Sequence, residues 1–486
     1  MKKNGYDTIK SYETTYDLVP ICKDIYADSL TPVNILRRLK TVSKEVYLLE
    51  SVEGGKQIGR YSFLGYDPLI HVYADEDSVT VESNGSKNIL KENPLQALKD
   101  MLKQYRSPKI EGMPPFTGGF VGYFAYNFFR LAEPKLKLKP SEFNLYNLML
   151  FDKVIAFDHL KQKIVLIANV DLKQKEVGYE KAKEKLEEMT TLIHDTSPLP
   201  KSIVRQTPEF RCNVTKEEYC KMVEKTKQYI YEGDIFQAVI SRKFEAVYEE
   251  SLLNTYRVMR TINPSPYMYY IESKDTQIAG VSPETLVKLV DGKLTTFPVA
   301  GTRKRGETQQ EDQELEAELL ADEKELAEHN MLVDLARNDL SRIATYGSVN
   351  VSKYMEIHRF SKVMHIASTV EGQIKDGKDG VDTVATMLPA GTLSGAPKIR
   401  ACEIIDELEP TSRGVYGGAI GYLDLSGNMD VCIAIRTAVK KGNHLSIQAG
   451  AGVVADSIPE NEYEETKNKA KAVIEAVLRA SEVNEA

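Results

Sequence analysis

The sequence predicts an α+β fold with antiparallel sheets. Two observations lead there. Segments rich in β-forming residues recur along the whole 486-residue chain. Helical segments fall among them without the regular strand–helix–strand rhythm that a doubly wound parallel sheet needs. Taken in order, Val46–Glu50 and Leu69–Tyr73 read as short strands, and a helical stretch covers Leu95–Tyr105. Gly118–Tyr126, Leu150–Phe157 and Ile164–Val170 are again rich in β-formers, and the charged segment Lys173–Thr191 reads as a surface helix. Residues 194–208, HDTSPLPKSIVRQTP, hold three prolines and no apolar periodicity. They divide the chain into an N-terminal region (1–195), a linker (196–214) and a second region (215–486).

The second region opens on Thr215 and Glu218, spaced as a capping box in which each side chain satisfies an orphan N–H at a helix start. Tyr219, Met222, Val223, Thr226 and Ile230 follow at helical spacing, and Gly233 is placed as the stop. VKLVDGKLTTF predicts a hairpin turning at Asp291-Gly292. Residues 307–342 are long, acidic and helical, and another helix runs from Asn461. There are no internal repeats.

Bulk properties narrow the function. Hydrophobic residues make up 42% and charged residues 28%, as in ordinary globular proteins. A net charge of −8 leaves no footprint for nucleic acid. Five cysteines at 22, 212, 220, 402 and 432 form no C-x-x-C pair, which argues against a disulfide framework or zinc site and fits a reducing cytoplasm. No apolar run reaches the length of a membrane span, and the N-terminus lacks the apolar core of a signal peptide.

Several residues invite chemistry and equally allow structural readings. Glu325 and Glu328, three apart on one helical face, are matched by Glu462 and Glu465 in the last helix. Together they suit a hard cation such as Mg²⁺, although acidic helices give such pairs by chance. Gly450 and Gly452 in QAGAGVVAD offer backbone N–H groups to a carboxylate, or mark a bend. His365 sits in apolar surroundings as a general base or a satisfied core histidine. Arg436 interrupts an apolar strand, VCIAIRTAV, where its charge needs a partner: a substrate carboxylate or a structural ion pair. GTLSGAPK at 391–398 fails the phosphate-loop spacing.

Nine strings resemble the chorismate-utilising enzymes and occur in that family's order. They are GDIFQAVISR (233–242), GVSPETLVKL (280–289), FPVAGTRKRG (297–306), ELAEHNMLVDLARNDLSRIA (325–344), HRFSKVMH (358–365), LPAGTLSGAPKIRA (388–401), YGGAIGYLD (416–424), IAIRTA (433–438) and QAGAGVVADSIPENEYEET (448–466). The resemblance implies a fold of large antiparallel sheets packed as a sandwich with helices around them. It implies that Glu328 and Glu465 bind Mg²⁺, with Glu325 and Glu462 as outer members. The metal, with the Gly450 and Gly452 amides, would hold the ring carboxylate of chorismate. Arg436 and Tyr416 would hold the enolpyruvyl carboxylate, and Thr302 and Thr392 would touch substrate. Glu284 would be the acid that protonates the departing C4 hydroxyl, and His365 would take the C2 proton.

Within the family, Gln237 stands where the water-adding isochorismate and salicylate synthases have a lysine base, which favours ammonia as nucleophile. PVAGT, with Ala300, matches the anthranilate-forming type. YLLESVEGGKQIGRYSFLG (47–65) and NPSPYMYY (263–270) resemble a tryptophan feedback site, with Leu49, Glu50, Ser51, Pro266, Tyr267 and Met268 around the effector. No amidotransferase motif is present, so the resemblance implies a separate glutamine amidotransferase subunit that supplies ammonia. Two alternatives stand beside this reading: the aminodeoxychorismate-forming relatives, and a tryptophan sensor without catalysis.

Overall fold

The computed structural model describes residues 5–51, 59–83, 85–359 and 363–484. Among these residues, two antiparallel sheets of twelve strands each form the body of the protein. One runs Leu18–Tyr26, Lys163–Asp171, Lys153–Asp158, Tyr61–Tyr66, Val46–Glu50, Tyr267–Ser273, Thr276–Ser282, Thr437–Lys441, His444–Val453, Gln237–Val247, Arg211–Cys212, with Gly395–Ala396 added beside Gln237–Val247. The other runs Val299–Lys304, Val363–Gln373, Lys293–Thr296, Thr285–Val290, Met429–Ile433, Ala419–Asp424, Gly119–Phe124, Tyr146–Phe151, Ile70–Ala74, Val79–Ser83, Ser86–Leu90, with Asn350–Arg359 paired to Val363–Gln373. Both sheets draw strands from before residue 195 and from after residue 215.

Period-2 alternation sends successive side chains to opposite faces, and this builds the layers. Tyr47, Phe63 and Tyr269 of the first sheet meet Val121, Phe151 and Ile420 of the second in one buried core. The Tyr47 ring lies edge-on to Phe151 at 4.7 Å. Burial of each such side chain contributes about 1.5–3 kcal/mol. The outer face of the first sheet is covered by helices that include Lys175–His194, Leu253–Ile262 and Pro459–Leu478. The outer face of the second is covered by Pro94–Lys103, Glu323–Ile343 and Gly380–Met387. No helix among the described residues is long and apolar enough to cross a membrane.

The local rules act as expected in several places. Thr215 accepts from the Glu218 amide while the Glu218 carboxylate accepts from Thr215, capping the helix Lys216–Tyr231. Asp291 and Gly292 both have positive φ, 53° and 77°, the geometry of a tight primed turn between Thr285–Val290 and Lys293–Thr296. Two segments differ. The stretch 150–157 is not one strand: Tyr146–Phe151 belongs to the second sheet and Lys153–Asp158 to the first, so the chain changes sheets at Asp152. The helix expected over 307–342 is two, Gln309–Ala321 and Glu323–Ile343, because Asp322 accepts from the Lys324 and Glu325 amides and starts a new helix.

Candidate active site

Two of the other links at which the chain changes sheets define the site. Residues 283–284 carry it from Thr276–Ser282 to Thr285–Val290, and residues 434–436 carry it back from Met429–Ile433 to Thr437–Lys441. The links are stitched together: the Val281 amide donates to the Arg436 carbonyl at 3.2 Å, and the Ile433 amide to the Glu284 carbonyl at 3.0 Å. Glu284 and Arg436 therefore stand side by side where the sheets part. Arg436 lies in the link rather than on a strand, and its φ of 49° is in the left-handed region. Such backbone costs about 1–3 kcal/mol in a non-glycine residue and is held only where the surroundings demand it.

Both residues face a cavity of about 440 Å³, together with Thr302, His365, Thr392, Tyr416, Gly450 and Lys469. Among the described residues the Arg436 guanidinium makes no ion pair. Burial lowers its pKa, and the nearby Glu284 opposes that shift. Burial raises the pKa of Glu284, although Thr392 Oγ1 donates to its Oε1 at 2.7 Å and Lys469 and Arg436 pull the other way. Its carboxyl thus holds a proton more readily than a surface glutamate. His365 sits opposite Thr302 in strand register. Its Nδ1 is 2.9 Å from the Gly301 carbonyl oxygen and 3.0 Å from Thr302 Oγ1. A carbonyl only accepts, so Nδ1 carries the proton and Nε2 is the basic nitrogen. Burial lowers the His365 pKa and favours this neutral form. Burial raises the Tyr416 pKa, so its hydroxyl remains a donor.

Gly450 and Gly452 lie inside the strand His444–Val453. A Cβ at Gly450 would sit 2.8 Å from the Tyr416 hydroxyl, and one at Gly452 2.7 Å from Gln237 Nε2. Glycine is what lets both side chains approach the strand. Gln237 opens the neighbouring strand; its Oε1 is buried and has no hydrogen-bond partner among the described residues.

Below the cavity two helices bring acidic groups together. Burial raises the pKa of Glu328, and the charges of Glu325 and then Glu465 add to the rise. Glu462 is raised by burial and by Glu465 in the same way. Glu325 is drawn toward Arg303 at 3.4 Å, and Glu465 pairs with Lys469 at 2.6 Å. Among the described residues no three acidic, His or Cys side chains converge tightly enough to hold a metal by themselves. Lys469 Nζ also donates to the Gly450 carbonyl at 3.1 Å, joining the acidic patch to the cavity. Sequence reasoning missed Lys469, because four residues after Glu465 it resembles an ordinary surface helix pair.

The Glu50 region is built on the first sheet. Met268 pairs in register with Glu50 and Tyr269 with Leu49. Glu50 is buried and accepts from Arg260 Nη2 at 2.8 Å and from the Tyr256 hydroxyl. Among the described residues the Ser51 hydroxyl has no partner. Tyr267 and Met268 alternate: the Tyr267 hydroxyl donates to Asp430 at 2.7 Å, whereas Met268 packs on the outer face of the first sheet. Pro266 lines the same cavity as Glu284 and Arg436. Residues 52–58 of the 47–65 string and 360–362 of the 358–365 string lie outside the described residues.

The cavity thus gathers an acid with a raised pKa, an imidazole with a lowered one and a guanidinium that makes no ion pair among the described residues, a set suited to a small anionic substrate. The model of the chorismate binding enzyme family matches residues 44–475, and the chain belongs to that family. Its relatives include anthranilate synthase component 1 of Acetivibrio thermocellus, 43% identical over 98% of this chain and 99% of that protein. The protein of the same name from Aquifex aeolicus is 42% identical over 99% and 98%. The crystal structure of anthranilate synthase component I from Streptococcus pneumoniae superposes with a TM-score of 0.75, at 36% identity over 93% of this chain and 99% of that one. The menaquinone-specific isochorismate synthase MenF of Escherichia coli shares the fold, with a TM-score of 0.70 at 19% identity over 97% and 98%.

Proposed function

We propose that the protein is the large subunit of an anthranilate synthase, converting chorismate and ammonia to anthranilate, pyruvate and water. The observation that carries this reading is the pairing of opposite pKa shifts in one cavity: Glu284 pushed toward its acid form and His365 toward its base form. Arg436, half-buried and without an ion pair among the described residues, takes the enolpyruvyl carboxylate, and the Tyr416 hydroxyl adds a neutral donor. The ring carboxylate lies over the Gly450 and Gly452 amides. Thr302 and Thr392 orient His365 and Glu284 respectively. Glu284 gives its proton to the C4 hydroxyl as ammonia bonds to C2. The new amino group sheds one proton, and His365 Nε2 removes the C2 proton as the enolpyruvyl group leaves and takes up a proton to become pyruvate, and the ring becomes aromatic. The unpartnered Gln237 Oε1 can accept from an N–H of ammonia but cannot deprotonate water.

The donor set fits Mg²⁺: carboxylate oxygens from two helices, with their ionised forms destabilised by one another. Glu328 and Glu465 would hold the ion, with Glu325 and Glu462 in the outer layer. When bound, Mg²⁺ supplies positive charge against the substrate carboxylate. Ammonia comes from a separate glutamine amidotransferase subunit. Tryptophan binds around Leu49, Glu50, Ser51, Pro266, Tyr267 and Met268 and inhibits.

The test is anthranilate fluorescence on mixing the protein with chorismate, Mg²⁺ and ammonium, with and without tryptophan. A signal that requires Mg²⁺ and falls with tryptophan is expected. Chorismate consumption without anthranilate would instead mean 4-amination or water addition, and tryptophan binding without turnover would mean a sensor.

A further inference from the structure

Arg413 is buried, 4% exposed, and no step of the proposed chemistry uses it. Its Nε and Nη2 donate to the two carboxylate oxygens of Glu409, at 2.9 and 2.6 Å, so the pair is a two-bond fork. Glu409, 3% exposed, accepts two more bonds from Ser241: from its amide at 2.8 Å and from its hydroxyl at 2.7 Å. The carboxylate is thereby fixed on the strand Gln237–Val247. The guanidinium also reaches main chain on two sides. Nη2 donates to the Val239 carbonyl at 2.7 Å and Nη1 to the Leu393 carbonyl at 2.5 Å. Val239 and Leu393 both line the substrate cavity. The rings of Tyr126 and Tyr416 lie against the guanidinium, with centroids at 4.8 and 5.6 Å. Buried ion pairs are poor sources of stability, so a fork this deep calls for another use.

Leu393 closes the short turn Gly391–Leu393, directly after Thr392, whose hydroxyl donates to Glu284 Oε1 at 2.7 Å. We propose that Arg413 is a positioning residue for the acid: clamped by Glu409, it holds the Leu393 carbonyl and so sets where the Thr392 hydroxyl meets Glu284. This rests on the reading of Glu284 as the acid. A single 3₁₀ turn has poor internal hydrogen bonding, so a donor fixed from outside sets its tilt. The Val239 amide, which donates to the Ser394 carbonyl at 2.8 Å, ties the next residue to the same strand. The planar guanidinium serves a carboxylate and two carbonyls at once, whereas a lysine ammonium offers three donors from one point. The precision matters because a misplacement of about 1 Å in a catalytic arrangement can cost roughly 10²-fold in rate.

The test is a kinetic cycle in the full chain: Arg413→Lys, Thr392→Val and the two combined. Anthranilate formation is measured at saturating ammonium and Mg²⁺ over a range of chorismate, with rates divided by the folded fraction. Arg413→Lys should lower kcat about tenfold and leave KM for chorismate unchanged, because Glu284 acts only as the C4 bond breaks. Thr392→Val should show a loss of the same kind. The double variant should be no slower than the slower single one, since both changes act through one hydrogen bond. Glu409→Gln keeps the guanidinium but loosens the fork. It should show the same coupling to Thr392→Val, and it carries the test if Arg413→Lys does not fold. A merely structural Arg413 would lower the melting temperature with kcat per folded chain unchanged, or its loss would multiply with that of Thr392→Val; either result would overturn the proposal. So would an unchanged kcat in Thr392→Val. An unaltered chain that makes no anthranilate would fail the functional reading itself, a result separate from an active chain whose variants do not couple.

Discussion

Arg436 and Glu50 are both charges taken out of water, and the protein treats them in opposite ways. Glu50 is 5% exposed and its carboxylate is answered by Arg260 and Tyr256. Arg436 makes no ion pair among the described residues and sits on left-handed backbone. A satisfied buried charge is explained by the fold alone, whereas an unsatisfied one on strained backbone costs stability and calls for a partner that comes and goes. On the proposed function the cavity receives an anion directly. A ligand amine at Glu50 must share or displace a bond already made.

The sharpest way to probe the cavity side is Glu284→Gln, which should lower kcat by about 10²–10⁴-fold. The sign of its stability effect is also set. The folded-state pKa is raised, so stability from this group is present at low pH and lost as pH rises through that pKa. Thermal melts should therefore find the variant gaining on the parent as pH rises from 4 to 8. Arg436→Gln should cost about 10²–10³-fold in kcat/KM for chorismate, with no fall in melting temperature, because no ion pair with a described residue is broken; a large loss of stability would erase the contrast with Glu50. Glu328→Gln should raise the Mg²⁺ concentration for half-maximal activity about tenfold while the melt holds or rises, since like-charge repulsion is relieved. On the other side, Glu50→Gln should lower stability by about 1–3 kcal/mol, as Arg260 loses a charged acceptor, with denaturant titration as the measure. Turnover with ammonium should survive it; collapse would mean that the two regions are one. Ser51→Phe should do least to the free enzyme, abolishing inhibition by tryptophan in the fluorescence assay while sparing activity with ammonium.

Local chemistry was the legible part of the fold. The strand Val46–Glu50 and the capped start at Thr215 follow from residues within reach of each other, and the α+β class follows from their sum. Sheet membership was not legible. The run through Asp152 has no glycine or proline to announce that the chain is leaving one sheet for the other, and the same holds at Arg436. In the site, the acidic pairs could be found by spacing, but not their mutual repulsion across two helices. Lys469 could not be placed in the site from spacing, because its partner Glu465 is only one helical turn away. Burial, which separates a functional charge from a surface one, is a property of packing that no window of residues contains.

The interleaving of the sheets bears on how the chain is made. Val46–Glu50 pairs on one side with Tyr267–Ser273, which leaves the ribosome more than two hundred residues later. At elongation rates of roughly 5–20 residues per second, that strand edge waits about 10–40 s for its neighbour. Until then the hydrogen-bonding edge and the apolar faces around Tyr47 and Leu48 are open to other nascent chains. Expression yield should therefore depend on chaperone supply and on synthesis speed through the middle of the message, even for variants whose finished fold is as stable as the parent's.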